Sequence, residues 1–196
     1  KRNPNDVTLI AVTKQRSVEE IGELIDAGVR DFGENRVPEA ADKWPALRAP
    51  HPHLKLHMIG RLQSNKAEDA VRMFDTIHSL DRPSLLIALV AAAEKSGRTP
   101  EVYVQVNIGG EEQKGGVAIS DLPALLAEVR SSPLRLAGLM AMPPFGEQAG
   151  PYFALLAELG RRHGVEGLSM GMSADFQAAV MLGATAVRIG SALFDE

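Results

Sequence analysis

Thr8-Leu9-Ile10-Ala11-Val12-Thr13-Lys14-Gln15-Arg16-Ser17 is the stretch on which the fold turns. The apolar run Thr8 to Thr13 reads as a buried strand. Ser17, with Glu20 three residues on, reads as the cap of a helix that Ala27-Gly28 ends. A strand followed at once by a helix is the first half of a parallel unit, because parallel neighbours need a crossover. An open doubly wound sheet would usually carry a glycine-rich phosphate turn at this junction, and here the junction holds no glycine. The remaining large parallel architecture is a closed (β/α)8 barrel.

The rest of the chain keeps this rhythm. Strands are expected at Asp31 to Asn35, Leu56 to Gly60, Thr76 to Leu80, Val102 to Asn107, Leu136 to Ala141, Gly167 to Met172 and Ala186 to Ser191. Helices are expected at Val37 to Leu47, Asn65 to Phe74, Pro83 to Lys95, Ser120 to Arg130, Pro151 to His163 and Asp175 to Leu182. With the opening run this makes eight strands. Their starts lie about 25 residues apart, the length of a minimal crossover unit. A TIM barrel usually takes about 250 residues and at least about 200. At 196 residues the chain sits near that floor, so one barrel over residues 1–196 is expected, short of an outer N-terminal helix.

Composition narrows the function. Lys plus Arg 21 against Asp plus Glu 25 leaves a net charge of -4 with no basic block, which argues against nucleic-acid binding. Zero cysteines exclude disulfides, iron–sulfur clusters and thiol nucleophiles, and fit a reducing compartment. The longest apolar stretch, Leu85 to Ala93, is far shorter than the about 20 residues a membrane span needs, and no apolar signal core follows Lys1-Arg2. A soluble, cytoplasmic protein is expected. His51, His53 and His57 do not suggest a metal site, since no carboxylate follows at ligand spacing. Gly171-Met172-Ser173-Ala174-Asp175 misses the last glycine of a nucleophile elbow. Gly109 to Gly116 lacks phosphate-loop spacing and reads as a mobile loop, and Met140, Met142, Met170 and Met172 read as core filler.

In a closed barrel the chemistry sits at the carboxyl ends of the strands. Lys14 ends the first run on the face of Ile10 and Val12. If that face is interior, burial favours the neutral amine that condenses with an aldehyde; otherwise it is a solvated lysine finishing a strand. Ser173 is expected as a helix N-cap, and strand eight ends in Arg188-Ile189-Gly190-Ser191. Amides at a helix start, a glycine and two hydroxyls suggest a phosphate cradle, though an ordinary cap with Asp175 against the dipole fits as well. Arg188 shares a face with Gly190, and its guanidinium needs an acceptor: a ligand ring nitrogen, or a carboxylate such as Glu34.

These residues, with Phe32-Gly33-Glu34-Asn35, His57-Met58-Ile59-Gly60-Arg61-Leu62-Gln63-Ser64-Asn65-Lys66, Val104-Gln105-Val106-Asn107, Gly138-Leu139-Met140-Ala141-Met142 and Ser169-Met170-Gly171-Met172-Ser173, resemble the pyridoxal phosphate homeostasis proteins of the YggS/PROSC type. That family folds like the N-terminal barrel of alanine racemase. The resemblance implies that Lys14 holds pyridoxal 5'-phosphate (PLP) as a Schiff base. It also implies that Ser173, Gly190 and Ser191 hold the phosphate, that Arg188 faces the pyridine nitrogen, and that Asn35 lies against the cofactor. Gly115 stands where the family commonly has serine, and Ser191 where threonine is common. Racemisation requires a second acid/base, which the related racemases take as a tyrosine from another domain. Tyr103 and Tyr152 are placed near a strand start and in an outer helix, so a non-catalytic PLP carrier is preferred to a racemase. PLP-dependent apo-enzymes are the expected partners and a monomer the expected state. Lys66 and Lys114 are two further amines to locate.

Overall fold

The computed structural model describes residues 3–111 and 113–194; Lys1, Arg2 and Glu112 lie outside the described residues, as do 195 and 196. The strands are β1 (Thr8–Val12), β2 (Asp31–Glu34), β3 (Lys55–Met58), β4 (Thr76–Leu80), β5 (Glu101–Gln105), β6 (Arg135–Met140), β7 (Leu168–Met172) and β8 (Ala186–Ile189). The helices that follow them in turn are α1 (Val18–Asp26), α2 (Val37–Arg48), α3 (Ala67–Met73), α4 (Pro83–Ser96), α5 (Leu122–Ser131), α6 (Ala149–His163), α7 (Phe176–Met181) and α8 (Ser191–Phe194). Every strand runs parallel to its neighbours, and β1 pairs with both β2 and β8, which closes the barrel. Among the described residues only a short 3-10 turn, Pro4–Asp6, precedes β1.

Helix α1 begins as its sequence predicts. Ser17 Oγ accepts from the Glu20 N–H at 3.2 Å while Glu20 Oε2 accepts from the Ser17 N–H at 2.7 Å. This reciprocal cap satisfies two amides that the helix itself cannot pair. The helix buries Ile21 and Ile25 against the sheet. Outward-facing strand residues complete that layer: Phe32 of β2 meets Trp44 of α2 with ring centroids 5.1 Å apart, both rings fully buried. Burial of such a ring stabilises the fold by about 2–3 kcal/mol.

Two ends differ from expectation. Ser173 does not cap α7; Asp175 holds that position, and its Oδ1 accepts from the Met172 N–H at 2.6 Å. The reason is the irregular register of β7 on β8 between Ser169 and Met172, together with Gly171 at φ +96. A Cβ at Gly171 would lie 2.6 Å from the Ala179 Cβ, so only glycine lets the chain turn there. Strand β8 stops at Ile189, and Ser191 opens a short helix instead of ending the strand. Arg16 sits 4.3 Å over the Phe194 ring, which ties that helix to the loop after β1.

The barrel interior is more polar than the branched apolar filling usual for this fold. His78 of β4 and Ser169 of β7 are hydrogen-bonded at 2.9 Å although their strands are not neighbours, so the contact spans the inside of the barrel. His57 and Arg188 are buried around them, and Tyr103 stacks on His78.

Candidate functional site

The chain on either side of Lys14 is fastened. Thr13, fully buried, donates through Oγ1 to Glu34 Oε1 at 2.8 Å, and its carbonyl accepts from Lys43 Nζ at 2.9 Å. Gln15, at φ 60, donates its N–H to Glu39 Oε1 at 2.5 Å. Lys43 neutralises Glu34 and Glu39, each at 2.9 Å, leaving Lys14 to project separately. Of the two environments open to Lys14, the structure has the solvated one: the residue is exposed. Strand β1 ends at Val12, two residues earlier, so Val12 is the last inward side chain and Lys14 stands on the rim.

Ser173 follows β7 and faces the start of α8. Its Oγ accepts from the Gly190 N–H at 3.2 Å and the Ala192 N–H at 3.3 Å. Two amides and the hydroxyls of Ser173 and Ser191 are therefore gathered at one corner of the mouth. Asn35 follows β2 and lines the same cavity. Its carbonyl would be 2.2 Å from a Cβ at Gly60, so the loop after β3 reaches the site only because residue 60 is glycine.

Arg188 does not pair with Glu34. Glu34 faces outward, where Oε1 also accepts from Trp44 Nε1 at 3.0 Å. Arg188 points inward, donating from Nη1 to Ser169 Oγ at 2.6 Å and from Nη2 to the Ala141 carbonyl at 3.1 Å. Burial lowers its pKa to about 10, which leaves the guanidinium charged at neutral pH.

Lys14, Asn35, Ser173, Arg188, Gly190 and Ser191 all line one cavity of about 660 Å³ at the carboxyl ends of the strands. Arg61 and Gln105 join them, and Met142 and Met172 are partly exposed along its wall instead of filling the core. Lys66 and Lys114 lie outside this lining and pair with Asp69 and Glu111. The loop read as mobile is anchored: Asn107 bonds Glu111 in both directions, and the Gly116 N–H donates to Asp81 Oδ2 at 3.3 Å. Among the described residues, three cations and no carboxylate line the cavity. It therefore suits an anion, and Lys14 places a primary amine within the same space. Sequence reading missed the polar interior beneath. The same alternation that pairs Lys14 with Val12 would have aligned His57 with Ile59 on the inward face of β3; on β7 the irregular register between Ser169 and Met172 breaks it.

The family model for the alanine racemase N-terminal domain matches residues 1–196. The chain belongs to that family. It is 45% identical over 201 residues to the pyridoxal phosphate homeostasis protein of Pseudomonas aeruginosa, covering 98% of this chain and 86% of that one. PipY of Synechococcus elongatus PCC7942 superposes with a TM-score of 0.91 at 40% identity without PLP, over 98% of this chain and 94% of PipY. With PLP bound, PipY superposes at 0.89 and 39% identity over the same shares. The alanine-racemase-like barrel read from the sequence is thus the fold of this family member.

Proposed function

We propose that this chain is a pyridoxal phosphate homeostasis protein that binds PLP in the cavity at the strand ends and carries it without turnover. The observation that carries the reading is the convergence of a rim lysine, a two-amide corner and a buried arginine on one cavity whose described lining holds no carboxylate. PLP bound there would supply an aldehyde that condenses reversibly with a lysine amine. Lys14 is the amine for that attachment, and its anchored backbone holds it at the rim. Ser173, Ser191 and the amide of Gly190 would take the phosphate, as anions sit on amides at a helix start. Arg188 would face the ring nitrogen as a donor and Asn35 would flank the ring.

The carrier reading is favoured over a racemase by the tyrosines. Neither Tyr103 nor Tyr152 lines the cavity; Tyr103 is stacked on His78 and Tyr152 donates to Glu147. With PLP bound, the charged guanidinium of Arg188 would also keep the ring nitrogen unprotonated and so make the cofactor a weaker electron sink. Cytoplasmic location, a monomeric state and delivery to PLP-dependent apo-enzymes belong to the same proposal. No helix among the described residues is long and apolar enough to cross a membrane. The test is to add PLP to the purified protein, record the visible spectrum, reduce with borohydride and map the modified peptide. Label on Lys14, absent in Lys14→Ala, is the expected result. Equal labelling in the variant would remove the assignment, and sustained turnover of free amino acids would favour the racemase.

A further inference from the structure

Beneath the cavity, five strands contribute to one run of hydrogen bonds. Arg188 Nη1 donates to Ser169 Oγ at 2.6 Å, and Ser169 Oγ meets His78 Nδ1 at 2.9 Å. His78 Nε2 then meets His57 Nδ1 at 3.0 Å, and His57 Nε2 meets Asp31 Oδ1 at 2.9 Å. The chemistry of the two ends sets the direction of everything between. A guanidinium only donates and a carboxylate only accepts. Ser169, accepting from Arg188, keeps its own proton to give to His78 Nδ1. The His78 proton is then on Nε2 and is given to His57 Nδ1, and the His57 proton is on Nε2 and is given to Asp31. With both imidazoles neutral, every one of these atoms is used. The opposite polarity would set an imidazole lone pair against the Asp31 carboxylate and leave the Ser169 hydroxyl proton unused.

The surroundings favour this state. His78 is fully buried, and desolvation, with His57 and Arg188 beside it, holds its pKa well below the ordinary 6.5. Tyr103, stacked at 4.4 Å and 13°, fixes the plane of the His78 ring. Each dipole in the run turns its negative end toward the buried guanidinium, and such bonds reinforce one another in a low-dielectric interior.

We propose that Asp31, His57, His78 and Ser169 form a positioning relay, in which a carboxylate low in the barrel fixes two Nε2–H imidazoles and, through Ser169, sets the orientation that Arg188 presents to the cofactor. None of the four lines the cavity, so they are positioning residues, not cofactor ligands. The proposal rests on PLP occupying the cavity above. Imidazole nitrogen spectra of the cofactor-free protein at neutral pH test the relay without the cofactor. Both His57 and His78 should be neutral Nε2–H tautomers, and Ser169→Ala should also shift the nitrogens of His57, which Ser169 does not contact. A doubly protonated or Nδ1–H imidazole in the unaltered protein, or an unmoved His57 in the variant, would overturn it. Should Ser169→Ala fail to fold, Asp31→Ala at the partly exposed end serves instead. It should release the His57 tautomer and weaken PLP affinity by about 2- to 30-fold, the span of coupling changes seen along such networks. Unchanged affinity in folded Asp31→Ala would overturn the positioning role. Failure of the unaltered protein to take up PLP, with the tautomers as expected, would instead count against the cofactor reading.

Discussion

The mouth of the barrel and its interior handle polar groups in opposite ways. At the mouth, Lys14 is exposed, Ser173 gathers two amides, and Met142 and Met172 leave apolar wall open to solvent. Below, from Asp31 to Arg188, the four links of the run close at 2.6–3.0 Å. The contrast separates binding from stability. Polar groups at the mouth, open to solvent, can exchange their partners for a ligand, whereas buried pairs are costly to break because the group left behind stays desolvated.

The largest effect is expected on the sealed side. Glu34→Ala would leave the buried Thr13 hydroxyl and the Trp44 N–H without their acceptor, while Lys43 keeps Glu39, and should cost about 2–5 kcal/mol in denaturant unfolding. A loss below about 1 kcal/mol would mean that buried pairs away from the mouth cost no more to break than exposed ones. Acid should expose the same asymmetry. His78 stays neutral when folded, so below pH 6.5 the unfolded chain binds a proton that the folded chain does not. Stability should therefore fall as pH drops beneath 6.5, by up to about 1.4 kcal/mol per pH unit from this group, down to its depressed folded value. Flat stability across that window in thermal or denaturant scans would contradict a neutral His78.

At the mouth the order reverses. Ser173→Ala should weaken PLP binding by about tenfold, the worth of one or two hydrogen bonds, while moving stability by less than about 1 kcal/mol. Titration by absorbance alongside denaturant unfolding separates the two readouts. The smallest stability effect belongs to Lys14→Ala. An exposed side chain away from packing should change unfolding by no more than about 0.5 kcal/mol, even though trapping of the cofactor is lost. A large destabilisation there would erase the division between the two regions.

Much of this was legible from residues 8 to 17 and the recurrence behind them. Apolar runs at crossover spacing imply parallel strands, and a closed barrel places strand-end residues together; the resemblance to the pyridoxal phosphate homeostasis proteins then singled out Lys14, Asn35, Ser173, Arg188, Gly190 and Ser191 among them. Their finer surroundings could not. Strand termini shift by a residue or two with turn geometry, which is why Lys14 stands on the rim and Ser173 faces α8 instead of capping α7.

What the sequence determined by itself is the class of fold and the identity of the side chains at its mouth, because both follow from short-range periodicity. The tertiary structure alone decided which interior groups meet. His78 and Ser169 lie 91 positions apart and touch only because the sheet closes. Hydrogen bonds of that kind depend on separations of about 3 Å set by closure and register, which no local pattern encodes.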